Sequence, residues 1–170
     1  MQNVDLRKRR GAILSECGLY RYSLWEKWKV GPETSAKGMV LFVLLNPSTA
    51  DASRNDPTFV RCREFAKAWG YSGFFKANLF AYRATDPRQM KIANDPVGGL
   101  CDVYLKKMAV TSSLIVVGWG RHGFFRGRDA EVLNLLAEFG TVHSLKTNKD
   151  GSPSHPLYLP KTLKPVVYKV

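Results

Sequence analysis

The sequence has little with which to hold a metal or build a disulfide framework. Its three cysteines, Cys17, Cys62 and Cys101, lie far apart, with no Cys-x-x-Cys pair and no neighbouring histidine pair. That spacing argues against zinc and iron–sulfur patterns and suits reduced thiols in a cytoplasmic protein, so no metal and no other cofactor is expected. Long apolar runs are also missing. None approaches the roughly 20 residues that a membrane-spanning helix requires, and no membrane partner is expected. The basic start MQNVDLRKRR has no apolar stretch behind it and does not read as a secretory signal. Internal repeats and low-complexity segments are absent. Acidic residues are scarce, 14 against 26 Lys and Arg, which leaves a net charge of +12. A field of that sign draws in polyanions, so DNA or a nucleotide is the expected partner.

What remains is ordinary globular material. With 170 residues, 45% of them hydrophobic, and a mean hydropathy of −0.22, the chain is expected to form one domain over 1–170 and to act as a monomer. Residues 11–28 alternate loosely and predict a hairpin of two strands joined at Cys17-Gly18. An α/β core is expected over 39–170. Its strand-like runs are MVLFVLLN (39–46), GFFKANLF (73–80), SLIVVGWG (113–120) and GTVHSLK (140–146), with PVVYKV (165–170) as a weaker fifth.

Helical patterns lie between these runs. Asp56-Pro57 is a good N-cap and first-turn pair, and Phe59, Cys62, Phe65, Ala66 and Trp69 mark one face after it. Thr85-Asp86-Pro87 and Asp95-Pro96 repeat that start signal. Leu100, Val103, Tyr104 and Met108 follow the latter at helical spacing, and Ala130, Leu133, Leu136 and Ala137 stripe a last helix. Apolar strands alternating with amphipathic helices predict an α/β fold with a mainly parallel sheet covered on both faces. Ligands of such sheets bind just beyond the carboxyl ends of the strands.

The polar residues at those ends suit a nucleobase. The first core strand runs into Asn46-Pro47, the second ends at Asn78, the third runs into Gly118-Trp119-Gly120, and the fourth leads to a loop carrying His155-Pro156. An asparagine amide offers donors and an acceptor that match the edge of a base. Trp119, Phe124 and Phe125 can stack on a base, while Arg121, Arg126, Arg128 and, on the later loop, Lys149 can hold phosphates. Each also has a plainer reading: Asn46 as a pre-proline strand end, Asn78 as a turn cap, Trp119 as core. Asp51 and Asp56 are the carboxylates of the first loop, with Asp56 read as an N-cap.

The strings "YRYSLWEKW", "LLNPSTADASRNDPT", "ANLFAYRATDP", "VVGWGRHG" and "TNKDGSPSHPLYLP" resemble a bacterial and phage family known as a domain of unknown function, over nearly the whole chain. More distantly, "LLNPS", "KAN" and "SHPLYL" stand in the order of the three site motifs of the uracil-DNA glycosylase superfamily. That resemblance implies a three-layer sandwich around a central four-stranded, mainly parallel sheet, here with the N-terminal β-hairpin added. It implies that Asn46 orients a water at the sugar carbon and that Asn78 reads the base edge. His155 would stabilise negative charge on a departing pyrimidine, and Leu157 and Tyr158 would wedge into the stack left by a flipped base. Leu44 and Ser48 stand where the superfamily motif has glycines, which places Ser48 beside the substrate in a reshaped pocket. Leu157 replaces a serine.

Three functions follow from these residues. The first is metal-independent, glycosylase-like hydrolysis at a pyrimidine, modified or not, in DNA. The second is a non-catalytic DNA- or nucleotide-binding module on the same fold. The third is a small-molecule enzyme of nucleotide metabolism with Asp51 or Asp56 as base.

Overall fold

The computed structural model describes residues 5, 7–28, 37–49 and 56–169. Seven strands form one mixed sheet in the order β1-β2-β4-β3-β5-β6-β7. They are β1 (Arg10–Leu14), β2 (Arg21–Lys27), β3 (Lys37–Leu44), β4 (Tyr71–Asn78), β5 (Ser112–Val117), β6 (Val142–Ser144) and β7 (Val166–Val167). The parallel part is the central four, β4-β3-β5-β6. The sheet is thus seven strands wide rather than four, with four parallel strands at its centre. The N-terminal hairpin is not an appendage, because β2 pairs antiparallel with β4 from Leu24↔Lys76 to Lys27↔Gly73. At the other edge β7 adds antiparallel to β6.

The helices are α1 (Pro57–Ala68), α2 (Pro87–Ile92), α3 (Cys101–Val110) and α4 (Arg128–Ala137). Strand β3 is covered on both faces, which is why it reads as a continuous apolar run. Val40, Phe42 and Leu44 pack with Phe74, Leu114 and Val116 under Phe59, Cys62, Phe65 and Ala66 of α1. Leu41 and Val43 face the opposite way, with Phe75, Ala77, Ile115 and Val117, toward Tyr104, Leu105 and Met108 of α3 and Val132 and Leu136 of α4.

Of the helix starts, those of α1 and α2 follow local capping chemistry, whereas α3 and α4 begin without a side-chain cap. Asp56 caps α1 by accepting the Phe59 N–H, with Pro57 in the first turn. Asp86 caps α2 in the same manner. Asp95-Pro96 starts no helix: the Asp95 carboxylate takes the N–H groups of Val97 and Gly98, making a turn. Gly98 then adopts φ +80 against the Tyr20 ring, and α3 begins at Cys101. The last stripe is shifted, since α4 buries Val132, Leu135 and Leu136. Among the described residues no helix is long and apolar enough to cross a membrane.

Candidate functional site

The strand ends are welded together by main-chain hydrogen bonds that continue beyond the sheet. Leu79 N donates to Leu44 O at 2.8 Å, Phe80 N to Leu45 O at 3.0 Å, and Gly118 N to Val43 O at 2.9 Å. The Asn46 side chain extends this weld. Its Nδ2 donates to Ala84 O at 2.7 Å and to Pro47 O at 3.2 Å, and Ala84 N returns a bond to Pro47 O at 2.9 Å. Both amide hydrogens of Asn46 are thus committed to joining the loops after β3 and β4. Its Oδ1 takes no part in these bonds, and it can only accept.

Side chains on β4 alternate, so Phe74, Lys76 and Asn78 share the α1 face. Phe74 packs in the apolar layer, but the two residues beyond it are polar and buried. Asn78 is 4% exposed, and its Oδ1 has no hydrogen-bond partner among the described residues. Ser48 Oγ, on the loop after β3, is buried without a partner in the same sense. Buried polar atoms are nearly always satisfied by protein, water or ligand, so both groups hold hydrogen-bonding capacity that the described residues do not use.

Lys76, 5% exposed, was not singled out from the sequence. Its Nζ lies 2.9 Å from Asp56 Oδ2. Asp56 therefore caps α1 with one oxygen and neutralises a buried ammonium with the other. Burial opposes the Asp56 charge, but Lys76 and the hydrogen bonds from Lys76 and Phe59 outweigh it and hold the carboxyl below its ordinary range. Burial also pulls the Lys76 ammonium below its usual value, with Asp56 resisting. Arg21 of β2, 3% exposed, adds its field to this group. A lone charge within the buried run FFKANLF was the signal that could have found Lys76.

His155 closes the cluster from the late loop. It precedes the 3-10 turn Pro156–Tyr158, and its Nδ1 accepts from Leu157 N at 3.3 Å. The other ring nitrogen, Nε2, then carries the proton and serves as a donor. Burial, with Lys76 adding repulsion, pushes the imidazole pKa down to about 4, so the ring is neutral near pH 7. The loop is seated closely: a Cβ at Gly118 would lie 3.0 Å from both Ser154 O and Pro156 Cδ. From the α1 side, Arg61 Nη2 donates to Leu159 O at 2.6 Å and Trp69 Nε1 to Leu163 O at 3.0 Å.

This gives a stability prediction. The unfolded imidazole protonates near pH 6.5, while the folded one stays neutral to about 4. Below 6.5 the unfolded state binds the extra proton, so stability is complete above 6.5 and falls as the pH drops toward 4, by on the order of 3 kcal/mol. Urea unfolding across that range checks it. His155→Gln is expected to flatten the profile, and an equally steep profile in that variant would assign the loss to other groups.

The remaining expected site residues divide. Leu157 is half-buried beside the loop and Tyr158 is 89% exposed, free to meet a ligand. Arg121, Arg126 and Lys149 are exposed. Two others lie elsewhere. Trp119 is 2% exposed in the core, edge-on to Tyr168, with Gly123 against its indole, so no face is open for stacking. Arg128 is 4% exposed and saturated: it donates to Leu79 O at 3.0 Å and pairs with Asp102 and Glu131. It braces α4 against α3 and the end of β4, and no phosphate can displace that set cheaply. Asp51 lies outside the described residues.

A family model described as "Protein of unknown function (DUF1643)" matches residues 21–157. No curated protein and no solved structure matches the chain.

Proposed function

Starting from the fact that the chain belongs to the DUF1643 family, we propose that it handles a nucleobase in DNA, with glycosylase-like hydrolysis of a pyrimidine nucleotide as its chemistry. The observation that carries this reading is the unpartnered, buried Oδ1 of Asn78 in the same layer as the neutral imidazole of His155. A buried amide at a strand end offers an acceptor and donors to the edge of a base, as ring N–H and carbonyl groups require. Polar motifs following β3, β4 and β6 of the parallel part of the sheet also support the reading, because they come in the chain order that the resemblance implies.

The reaction breaks the bond between the sugar carbon and the base nitrogen, and the electron pair leaves with the base. Negative charge then spreads to the base oxygens, where the His155 Nε2–H donates. A neutral donor in a dry site is worth roughly 3 kcal/mol to such a transition state. Water, oriented by a hydrogen bond to Asn46 Oδ1, adds to the sugar carbon and loses one proton to solvent. Its other hydrogen stays on the new hydroxyl, while the departing base anion takes up a proton from solvent. Tyr158, 89% exposed on the turn that follows His155, is suited to fill the gap left by an extruded base.

A second reading has its own support. Both Asn46 amide hydrogens and the Asp56 carboxylate are committed to structure, as a site that binds without catalysing would tolerate. One experiment separates the two. The protein is incubated with duplexes carrying uracil, mismatched thymine and hypermodified pyrimidines, and abasic sites are scored alongside binding. Abasic product on at least one substrate is expected. Selective binding without product at any pH or salt would establish the binding module, and neither product nor selective binding would remove both.

A further inference from the structure

The opposite end of the sheet carries a feature that the base-handling site does not use. A cavity of about 750 Å³ there is lined, among the described residues, by Arg7, Arg9, Lys27, Trp28 and Ser72. Lys27 closes β2 and Ser72 lies at the start of β4, and the two strands are antiparallel. The cavity therefore sits at the amino ends of the parallel strands, whereas Asn46, Asn78 and Gly118 stand at or beyond their carboxyl ends. Helix α1 spans the interval. Asp56 caps it at the site, and Lys67 in its last turn places Nζ 5.1 Å from the Trp28 ring. Twelve residues at a rise of 1.5 Å put the two ends about 18 Å apart.

The charge of this end is one-sided. The Arg7 and Arg9 side chains are 92% and 76% exposed. Asp5 pairs with Arg7, while Glu26 is shared between Arg9 at 3.9 Å and Arg63 at 3.6 Å. With Lys27 and Lys67, five cations surround two carboxylates among the described residues. Set among them is the half-buried Trp28, backed by Phe74 at 6.4 Å.

We infer that this groove is a second site, which binds the backbone of a single-stranded nucleic acid with a base laid on Trp28. Cations spaced around an aromatic ring match alternating phosphates and bases, because every base has a face to stack and every link carries a charge. An acidic peptide would satisfy the cations but leave the ring unused. A duplex would satisfy them too, but its paired bases are stacked on each other and cannot reach the ring. The site differs from the proposed base-handling site in residues and in place, so it stands or falls independently.

The test titrates the whole chain with a short oligothymidylate, following tryptophan emission at several salt concentrations. Binding with quenching is expected, and Trp28→Phe is expected to remove the quenching. In Arg7→Gln/Arg9→Gln/Lys27→Gln, affinity at low salt is expected to fall at least tenfold. The slope of log affinity against log salt should fall by about 2, since each phosphate contact on a single strand contributes about 0.7. An unchanged melting temperature shows that the triple variant is folded. A rim variant, Arg121→Gln/Arg126→Gln, is expected to leave the quenching intact. Four results would each overturn the inference: no binding by the unmodified protein, an unchanged slope in the triple variant, quenching that survives Trp28→Phe, or competition by polyglutamate as strong as by oligothymidylate.

Discussion

Replacing Asp56 by alanine is expected to destabilise the protein by roughly 3–5 kcal/mol, a large share of a domain's stability. The carboxylate has two duties in the structure, and alanine ends both. Lys76 would keep its ammonium in a place that is 5% exposed, with no counter-charge and with Arg21 nearby. The first turn of α1 would also lose its cap. Serine at 56 separates the two effects, because it can still accept the Phe59 N–H but cannot pair with Lys76. Asp56→Ser should therefore recover about 1 kcal/mol relative to alanine. Adding Lys76→Met to Asp56→Ser removes the stranded charge and should recover most of the remainder. Urea unfolding of the four proteins measures this directly. If Asp56→Ser is as stable as the unmodified chain, the ion pair contributes nothing and the account of this layer fails.

The second large effect is on chemistry. In the abasic-site assay, on whichever base proves to be the substrate, His155→Ala is expected to lower the rate about 10²- to 10³-fold with little change in substrate affinity. The imidazole is asked to serve the departing base more than the bound one, and that asymmetry predicts loss in kcat over KM. His155→Gln should retain part of the rate, because an amide N–H can approximate the Nε2 donor. The rate should also show no acid limb near pH 6.5 attributable to His155, whose pKa lies at about 4. Asn78→Ala, by contrast, should weaken affinity for the base itself. Equal losses of kcat in all three variants would indicate collapse of the loop rather than separate roles.

The features legible in the sequence were those decided locally. Asp56-Pro57 announces a helix start because capping involves residues three apart, and the α1 cap stands where that pair predicted. The apolar runs of β3, β4 and β5 were legible because parallel strands are buried on both faces. The joining of the hairpin to the sheet was not legible, since the β2–β4 pairing links residues about 50 apart and leaves no local trace. Trp119 between two glycines looks alike in a core and on a rim, and only the packing of Gly123 and Tyr168 decides it. Arg128 sits in a basic string, yet its partner Asp102 comes from another helix 26 residues away. The ends of β3 and β4 were found as candidate positions, but not that Asn46 spends its amide holding two loops together. That depends on the Ala84 carbonyl arriving from a different part of the chain.

The place of β3 in the sheet also governs how the chain can fold. It lies between β4 and β5, both of which are made later during synthesis, β5 about 70 residues later. Until both crossovers are complete, the uncharged run 39–45 has two open edges and two bare apolar faces. Such a segment is a template for pairing with other chains, and the delay lasts as long as the ribosome takes to extend past β5. Pairing across long sequence separations is also intrinsically slow. The strand that ends at the candidate site is thus open to pairing with other chains for as long as β5 has yet to emerge.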